Sequence, residues 1–432
     1  MKKSDKLSKS FYGANRKKFL DSLEGMAAVF LFAGEAPHKT ADEYYVFTPN
    51  RNFLYMTGLD APKLIYFAYK TPEKTEEFLF IERGSKKKAK WVGRCLDAGS
   101  ASDASGIENI LFLDEFQSHV AEKLHTFKAS HVYLDLESRL DSDIKSTSLR
   151  FYDNFAKSYP CLTLKDAGEI IGRMRGIKSD PETALIKRSI EITALAFEHI
   201  IGNASAGMYE YQLESCFDFA LKYNGVRERA FSTIIASGKN ASILHYSDNS
   251  SKIEDGDLVL MDFGAMYGCY CADISRTVPI NGRFTERQKE LYNTVLGGQS
   301  LVIAAVKPGA TLNELNKILI EYYRTALKEL GLIGRGAKGA ALDALIEKYY
   351  WHKVGHSIGL NAHDPYPNGD VPLEPGMVIT VEPGLYVEKE KTGIRIEDVL
   401  LVTKSGFIVL SEAIPKTVED IERCFAESDG NK

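Results

Sequence analysis

The sequence lacks any cysteine pattern that forms a disulfide framework or a thiolate zinc site. Its six cysteines are scattered through 432 residues without a CxxC pair. It also lacks the apolar run of about 7–15 residues that a secretory signal places behind a basic amino terminus. No apolar span approaches the ~20 residues of a membrane helix. We therefore expect a protein of the reducing cytoplasm without a membrane-spanning segment.

A strong excess of one charge is also missing. Lys and Arg total 54 and Asp and Glu total 59, so the formal net charge is -5. This balance offers no general attraction to nucleic acid or to an anionic membrane. With 44% hydrophobic and 26% charged residues, the composition is that of an ordinary globular protein. Its length predicts two or three domains of roughly 100–200 residues each.

The first part of the chain alternates short apolar segments with amphipathic ones such as Leu113 to Phe127. The segments expected as strands are "MAAVFLFAG", "KLIYFAYK", "EEFLFIERG", "ILFL" and "HVYLDL". The pattern changes near Arg173, where Ser179 and Glu182 form a capping box before a long helical pattern. We therefore predict an α/β domain over residues 1–172 and a second domain over residues 173–432.

The second domain is predicted to be α+β. Its expected helices are Glu210–Tyr223, Thr285–Val306, Leu312–Leu330 and Ala341–Lys348. Its expected strands are Ser232–Ala236, Leu258–Gly264, Cys269–Val278, Val378–Val387 and Ile394–Thr403. The segment "GRGAKG" matches a dinucleotide-binding pattern, but it follows a helical segment and not a strand, so we interpret it as a loop between helices.

Two aspartates lie in the otherwise apolar hairpin "LVLMDFGAMYGCYCADISRTV". A turn about Tyr267–Gly268 would place Asp262 directly opposite Asp273. Their Cβ atoms would then be about 5 Å apart, and two charges there repel by roughly 3 kcal/mol at an effective dielectric constant of ~20. A shared proton, a cationic side chain or a metal ion could offset this repulsion.

A second hairpin repeats the arrangement in "VITVEPGLYVEKEKTGIRIEDVLLV". If the strands turn at Glu388 to Lys391, Glu382 faces Glu397. For one hairpin alone, a hydrogen-bonded polar pair is an equally good interpretation. Two such pairs in one domain favour a shared function.

Three histidines, His352, His356 and His363, lie between the hairpins in "WHKVGHSIGLNAHDP". A single histidine is more often a hydrogen-bonded core residue than a ligand. Three within twelve residues, beside four carboxylates, indicate a metal site. This oxygen-rich set with nitrogen suits a pair of Mn²⁺, Co²⁺, Zn²⁺ or Fe²⁺ ions. Two divalent cations would also balance four carboxylates in formal charge.

These motifs resemble a known family, the pita-bread metallopeptidases, which include methionine aminopeptidase, prolidase and aminopeptidase P. The resemblance is carried by "HYSDN", "MDFGAMYGCYCADISRT", "GHSIGLNAHD", "EPGMVITVEPGLY" and "GIRIED". It implies a pita-bread (creatinase/aminopeptidase-like) catalytic domain behind the α/β domain. It also implies two divalent metal ions, with Mn²⁺ expected ahead of Co²⁺, Zn²⁺ or Fe²⁺.

The resemblance also implies roles for nine residues. The metal ligands would be Asp262, Asp273, His356, Glu382 and Glu397, with Asp273 and Glu397 bridging the two ions. Glu382 would also act as general base, and His363 would polarise the scissile carbonyl. His245, His352 and Arg395 resemble residues that support the ligands or orient the substrate. A structural hydrogen bond is the alternative for these three, and packing is the alternative to pocket lining for Tyr386.

Within the family, the long amino-terminal domain disfavours methionine aminopeptidase, and the complete ligand set disfavours creatinase. The segments "TPNRNFLYMTGL" and "KWVGRCLD" resemble aminopeptidase P, which releases the first residue of peptides with proline second. Cys95 departs from that family, which often has a basic residue there, so the role of Trp91 is left open. Prolidase and a non-catalytic peptide-binding protein are the alternatives. The resemblance implies a homo-oligomer, either a dimer or a tetramer.

Overall fold

The structure is a computed structural model that describes residues 7–93, 95–136 and 145–429. One compact unit ends at Met174, and the other begins at Arg175. Of the "KWVGRCLD" segment, Arg94 lies outside the described residues. Among the described residues, no helix combines the length and apolar character needed to cross a bilayer.

The first unit is built on one mixed sheet with helices. Its elements are α1 (Lys9–Ser22), β1 (Ala27–Phe32), β2 (His38–Thr40), β3 (Glu43–Tyr44), α2 (Arg51–Thr57), β4 (Ile65–Lys70), β5 (Thr75–Ile81), α3 (Lys86–Val92), α4 (Ala98–Ser105), β6 (Asn109–Phe112), α5 (Phe116–Phe127), β7 (His131–Leu134), α6 (Thr147–Ser158), β8 (Thr163–Asp166) and α7 (Gly168–Gly176), the last of which continues into the second unit. All five strands predicted in this half are present.

The six-stranded sheet has the order β6-β5-β4-β1-β7-β8. Strand β1 pairs antiparallel with β4 and parallel with β7, so hairpin and crossover connections occur in the same sheet. Every residue of β1 is buried, which explains its continuous apolar sequence. Phe30, Phe67 and Phe155 belong to an aromatic cluster that forms the core beside this sheet. Trp91, in contrast, is 83% exposed on α3.

The second unit combines antiparallel strands with long helices. Its elements are α8 (Asp180–Asn203), α9 (Glu210–Tyr223), β9 (Ile234–Ser237), β10 (Leu258–Phe263), β11 (Met266–Tyr267), β12 (Tyr270–Cys271), β13 (Ile274–Pro279), α10 (Glu286–Ala305), α11 (Leu312–Glu329), α12 (Gly339–Ile346), β14 (Val378–Val381), β15 (Gly384–Val387), β16 (Thr392–Arg395), β17 (Asp398–Thr403), β18 (Gly406–Val409) and α13 (Val418–Asp429).

Helix starts in this unit follow local chemistry. At α8, Glu182 accepts hydrogen bonds from the backbone N–H and the hydroxyl of Ser179, which confirms the predicted capping interaction. At α11, the side chain of Thr311 accepts from the backbone N–H of Glu314, and the side chain of Glu314 accepts in return. The "GRGAKG" segment connects α11 to α12, as the loop interpretation predicted.

The strands form two three-stranded sheets, β13-β10-β9 and β14-β17-β18, and two hairpins, β11-β12 and β15-β16. The long strands predicted over residues 269–278, 378–387 and 394–403 are each interrupted, so the prediction of continuous strands is wrong. The interruptions fall at Ala272 and Asp273, at Glu382 and Pro383, and at Ile396 and Glu397. Pro383 has no N–H to donate to a ladder, and the three carboxylates lie at a cavity.

Candidate metal centre

The second unit contains a cavity of about 660 Å³. All nine residues selected from the sequence line it: His245, Asp262, Asp273, His352, His356, His363, Glu382, Arg395 and Glu397. They come from two hairpins and from the loops before β10 and β14, so residues up to 152 positions apart in sequence meet in one place. The fold therefore brings these nine predicted site residues together.

The direct opposition of Asp262 and Asp273 was predicted wrongly. Strand β10 pairs with β13 so that Asp262 faces Ser275. The turn lies at Gly268 and Cys269, both with positive φ, one residue later than expected. A two-residue turn of this kind suits the strand twist and normally favours glycine or asparagine, so Cys269 gave no sequence signal. Because side chains alternate along a strand, Asp273 still lies on the same side as Ser275 and Asp262.

The predicted register of the second hairpin is confirmed. Gly384 pairs with Arg395 in the β15-β16 hairpin, and Val381 pairs with Asp398 in the β14-β17 ladder. Both ladders have the register that sets Glu382 opposite Glu397. These two glutamates occupy the gap between the ladders, where they do not take part in strand pairing.

The carboxylates and histidines form three overlapping clusters. In each cluster, one potential ligand atom from each residue lies within 4.8 Å of the others. The clusters are Asp262 with Asp273 and Glu397, His356 with Glu382 and Glu397, and Asp273 with His356 and His363. Because Asp273, His356 and Glu397 each belong to two clusters, the arrangement could hold two neighbouring cations.

Arg395 orients two of the carboxylates. Its Nη2 donates to Asp262 Oδ2 over 2.6 Å, and its Nε donates to the hydroxyl of Ser275 over 2.9 Å. The Ser275 hydroxyl in turn donates to Glu397 Oε2 over 2.9 Å. The remaining oxygens, Asp262 Oδ1 and Glu397 Oε1, are buried and accept no hydrogen bond from the described residues. A buried carboxylate oxygen without a donor is costly, so this donor set fits a divalent cation.

His356 presents one ring nitrogen to the same carboxylates. Its Nδ1 lies 3.1 Å from the carbonyl oxygen of Ser357, which places the proton on Nδ1. Its Nε2 lies 3.5 Å from Asp273 Oδ2 and 3.4 Å from Glu382 Oε1. Burial lowers the pKa of His356 to about 3, so Nε2 is an unprotonated acceptor facing two other acceptors. Such a nitrogen, with its other side hydrogen-bonded to a carbonyl, is typical of a metal ligand.

Glycine is required directly beside this histidine. A Cβ on Gly355 would lie 2.0 Å from the carbonyl oxygen of Thr380 in β14. The backbone of His356 pairs with the same residue, since its N–H donates to Thr380 Oγ1 and its carbonyl accepts from the Thr380 N–H. The close approach therefore holds His356 against β14, the strand that leads to Glu382.

A second histidine is held by a chain of hydrogen bonds. Arg395 Nη1 donates to the hydroxyl of Tyr386 over 3.0 Å, and this hydroxyl lies 2.9 Å from His352 Nε2. The His352 Nδ1 donates to the carbonyl of Lys353, so Nε2 accepts from Tyr386. Burial lowers the pKa of His352 to about 3, and burial raises that of Tyr386 to about 12. Tyr386 is thus a hydrogen-bonded member of the site in addition to its packing.

Three of the carboxylates, Asp273, Glu382 and Glu397, have raised pKa values and hold their protons unusually strongly. Burial and the neighbouring carboxylates raise the pKa values of Asp273 and Glu397 well above their ordinary values. Burial raises the pKa of Glu382 to about 8, against the opposing effect of Arg395. If all four carboxylates of this site were ionised, they would carry more negative charge than Arg395 can offset, and a bound cation can supply the missing positive charge in place of the protons.

The remaining two predicted histidines lie closer to solvent. His245 is exposed in the loop before β10. The rings of His356 and His363 are 4.2 Å apart between centroids. Partial burial and nearby His245 lower the pKa of His363, so its ring is predominantly neutral near pH 7. His245 and His363 both line the cavity.

Sequence reasoning missed Ser275 and the apolar wall formed by Phe231, Ile234 and Leu244. Ser275 lies two residues after Asp273, so alternation along the strand was a usable signal. The wall had no comparable signal, because an isolated apolar residue in a loop or strand is ordinary.

Comparison with known proteins identifies the family. Residues 184–404 match the model of "Metallopeptidase family M24", and residues 12–133 match "Aminopeptidase P, N-terminal domain". The Xaa-Pro aminopeptidase of Haemophilus influenzae is 30% identical over 433 residues, which cover 96% of this chain and 97% of that protein.

Two solved structures are similar over nearly the whole chain. A Bacillus anthracis protein assigned as an aminopeptidase P has a TM-score of 0.94 and 41% identity, covering 98% of this chain and 99% of its own. Zn-substituted Escherichia coli aminopeptidase P in complex with product has a TM-score of 0.87 and 28% identity, with the same coverage. These findings confirm the predicted fold class and enzyme type. The chain belongs to metallopeptidase family M24 and carries the aminopeptidase P amino-terminal domain before its catalytic domain.

Proposed function

We propose that this enzyme removes the amino-terminal residue from peptides that have proline in second position. The observation that carries the proposal is the complete ligand set lining one cavity: Asp262, Asp273, His356, Glu382 and Glu397. Relatives named Xaa-Pro aminopeptidase over nearly the full length support the same substrate class. The two domains are proposed to cover residues 1–172 and 173–432.

We propose that these five residues hold two divalent cations and that Mn²⁺ is the expected metal. The donor set of carboxylates and one imidazole supports this choice, although Co²⁺, Zn²⁺ and Fe²⁺ suit the same ligands. When bound, such a pair lowers the pKa of a water molecule enough to supply hydroxide near neutral pH. Asp273 and Glu397, which belong to two clusters each, are the proposed bridging ligands.

The protein groups then position the substrate and move the protons. Glu382 takes the proton from the attacking water and delivers it to the leaving proline nitrogen. The neutral ring of His363 donates a hydrogen bond to the scissile carbonyl oxygen as it gains negative charge. His245 and His352 orient the substrate along the cavity. Arg395 keeps Asp262 in place through its 2.6 Å ion pair.

The bond before proline requires a dedicated site. It is a tertiary amide without an N–H, and proline restricts the residue before it, so ordinary peptidases cleave it poorly. The apolar wall of Phe231, Ile234 and Leu244 is available to contact apolar parts of the substrate. Prolidase has the same chemistry but accepts dipeptides, so substrate length separates the two activities.

The first experiment compares substrates of different length. Protein stripped of metal and reloaded with Mn²⁺ should cleave Arg-Pro-Pro and longer Xaa-Pro peptides after the first residue, as measured by mass spectrometry. Cleavage of Xaa-Pro dipeptides alone would identify a prolidase. Peptide binding without turnover under any of the four metals would instead support the non-catalytic alternative.

The second experiment tests the ligand assignment. Asp273→Asn should remove at least one of two bound ions and abolish turnover, because a bridging carboxylate is lost. Asp255→Asn is the control, since Asp255 is exposed and its side chain accepts from Asn281 away from the cavity. Full activity and two ions in the Asp273 variant would overturn the bridging role. A cytoplasmic location and a homo-oligomeric state stay predictions.

A further inference from the structure

A short loop carries both histidines that face the carboxylates. Between His356 and Asp364 the chain folds back on itself: the Gly359 N–H donates to the Asn361 carbonyl, and the Asp364 N–H donates to the Ser357 carbonyl. His363 therefore precedes a residue whose backbone closes the loop. The position of its ring depends on how firmly that closing residue is held.

Asp364 belongs to a buried cluster of three charged residues. Its Oδ1 accepts from Arg175 Nη2 over 2.6 Å, and its Oδ2 lies 3.3 Å from Lys178 Nζ. The three side chains are 4%, 1% and 1% exposed for Arg175, Lys178 and Asp364 respectively. Although burial opposes ionisation, Arg175 and Lys178 lower the pKa of Asp364, so it is charged.

The cluster makes several polar contacts with the loop. Asp364 Oδ1 also accepts from the backbone N–H of Asn361 over 3.0 Å, and Lys178 Nζ lies 3.4 Å from the Ser357 hydroxyl. There is no spare room, because a Cβ on Gly359 would lie 2.5 Å from Asp364 Oδ2. The charged groups thus hold the loop near both of its ends, at Ser357 and at Asp364.

Burying three charges is a poor way to gain stability alone, since well-packed apolar residues often serve as well or better. A charged cluster does, however, define a single geometry through directed bonds. Here the residue so defined is the immediate neighbour of His363. A rigid placement of the His363 ring is needed if the ring must lie at hydrogen-bonding distance from the oxygen of the scissile carbonyl.

We propose that Asp364, held by Arg175 and Lys178, is a positioning residue that sets the His363 ring at the distance needed to polarise the scissile carbonyl. The proposal rests on the proposed function, including the role of His363. It assigns to Asp364 no contact with substrate. Its effect is exerted through His363 alone.

Two variants of Asp364 separate positioning from folding. Asp364→Asn removes the charge but leaves two buried cations, so it is the variant at risk of unfolding. Asp364→Glu keeps the charge and adds one methylene where no space is free. Both should lower kcat by about 10- to 100-fold, the usual cost of disturbing a group that supports a site residue from outside the site, with KM changed little. Glu77→Gln is the control, because it disturbs the ion pair of another buried arginine, Arg16, which lies in the amino-terminal unit. This variant should leave kcat unchanged.

A double-mutant cycle with His363→Phe gives the decisive measurement. If Asp364 acts through His363, Asp364→Glu should change the kcat of the His363→Phe enzyme by about twofold or less. The Mn²⁺-loaded proteins are compared at saturating Arg-Pro-Pro. Wild-type kcat in folded Asp364→Glu, or an equal loss in both backgrounds, would overturn the proposal.

A structural measurement is independent of turnover. In crystals of the metal-free Asp364→Glu protein, the centroid distance between the rings of His356 and His363 should depart from the 4.2 Å found here. An unchanged distance in the variant would also refute the proposal. If wild-type protein does not cleave any Xaa-Pro peptide, the proposed function fails, and the ring distance still tests the positioning of His363 separately.

Discussion

Binding of divalent cations to the metal-free protein should release protons into solution. Burial raises the pKa of Glu382 from 4.5 to about 8, so about nine-tenths of the molecules hold this proton at pH 7. Asp273 and Glu397 also have raised pKa values. A cation must displace these protons to gain its carboxylate ligands, so we expect at least one proton released for each protein molecule.

The size of the effect follows from the same values. The difference between 4.5 and about 8 corresponds to about 5 kcal/mol of interaction that favours the protonated form of Glu382. If one proton is released, the apparent affinity for Mn²⁺ should rise about tenfold for each pH unit, up to about pH 8. Above that pH, the part contributed by Glu382 should level off.

Isothermal titration calorimetry in buffers with different ionisation enthalpies measures the released protons directly. The binding enthalpy should depend on the buffer with a slope of about one proton or more. Glu382→Gln should reduce that slope by about one, and the exposed control Asp255→Asn should leave it unchanged. A binding enthalpy independent of buffer, with affinity constant from pH 6 to pH 8, would falsify the reasoning.

The stability of the metal-free protein should follow the same titration. Because the folded-state pKa of Glu382 lies above its unfolded value, the folded protein holds this proton more tightly. The contribution of Glu382 to the free energy of unfolding should therefore be fully present below about pH 4.5. It should be lost as the pH rises through about 8. Urea unfolding with and without Mn²⁺ would show the loss only without metal.

Three further changes have defined outcomes. Gly355→Ala should destabilise the protein and weaken metal binding, since its Cβ would meet the Thr380 carbonyl at 2.0 Å, whereas Gly336→Ala, with nothing within 4 Å, should change neither. Tyr386→Phe should lower stability by about 1–3 kcal/mol in urea unfolding, because it removes the buried acceptor of Arg395; unchanged stability would contradict this. Hydrogen exchange in β10 and β13 should slow when Mn²⁺ is added, because the cation offsets the repulsion between Asp262 and Asp273. Identical exchange with and without Mn²⁺ would contradict this explanation.

The predictions from sequence succeeded where the signal was local. The capping box at Ser179 and Glu182 and the apolar periodicity of the following segment depend on neighbours within a few residues. The register of the second hairpin was also predictable, because the polar run at residues 388–391 can only be the turn. These features place Glu382 opposite Glu397 without any distant contact.

The turn position of the first hairpin could not be predicted from neighbouring residues alone. Its turn contains Cys269 in a positive-φ conformation that this residue rarely adopts, so the expected turn was displaced by one residue. The tertiary structure imposes the turn, since Cys271 donates its N–H to the Gly359 carbonyl and Ser189 accepts from the Tyr267 N–H. The resulting shift moves Ser275, and not Asp273, opposite Asp262.

By itself, the sequence indicated which carboxylates and histidines line the cavity, because their residue types, their order and the flanking apolar segments can be read along the chain. Only the tertiary structure decided which oxygen of each carboxylate is bonded to the protein and which is left for a cation. It also decided that Asp364 meets Arg175 across 189 positions. Such contacts arise from the packing of distant segments, and neither helix periodicity nor strand alternation carries information over that distance.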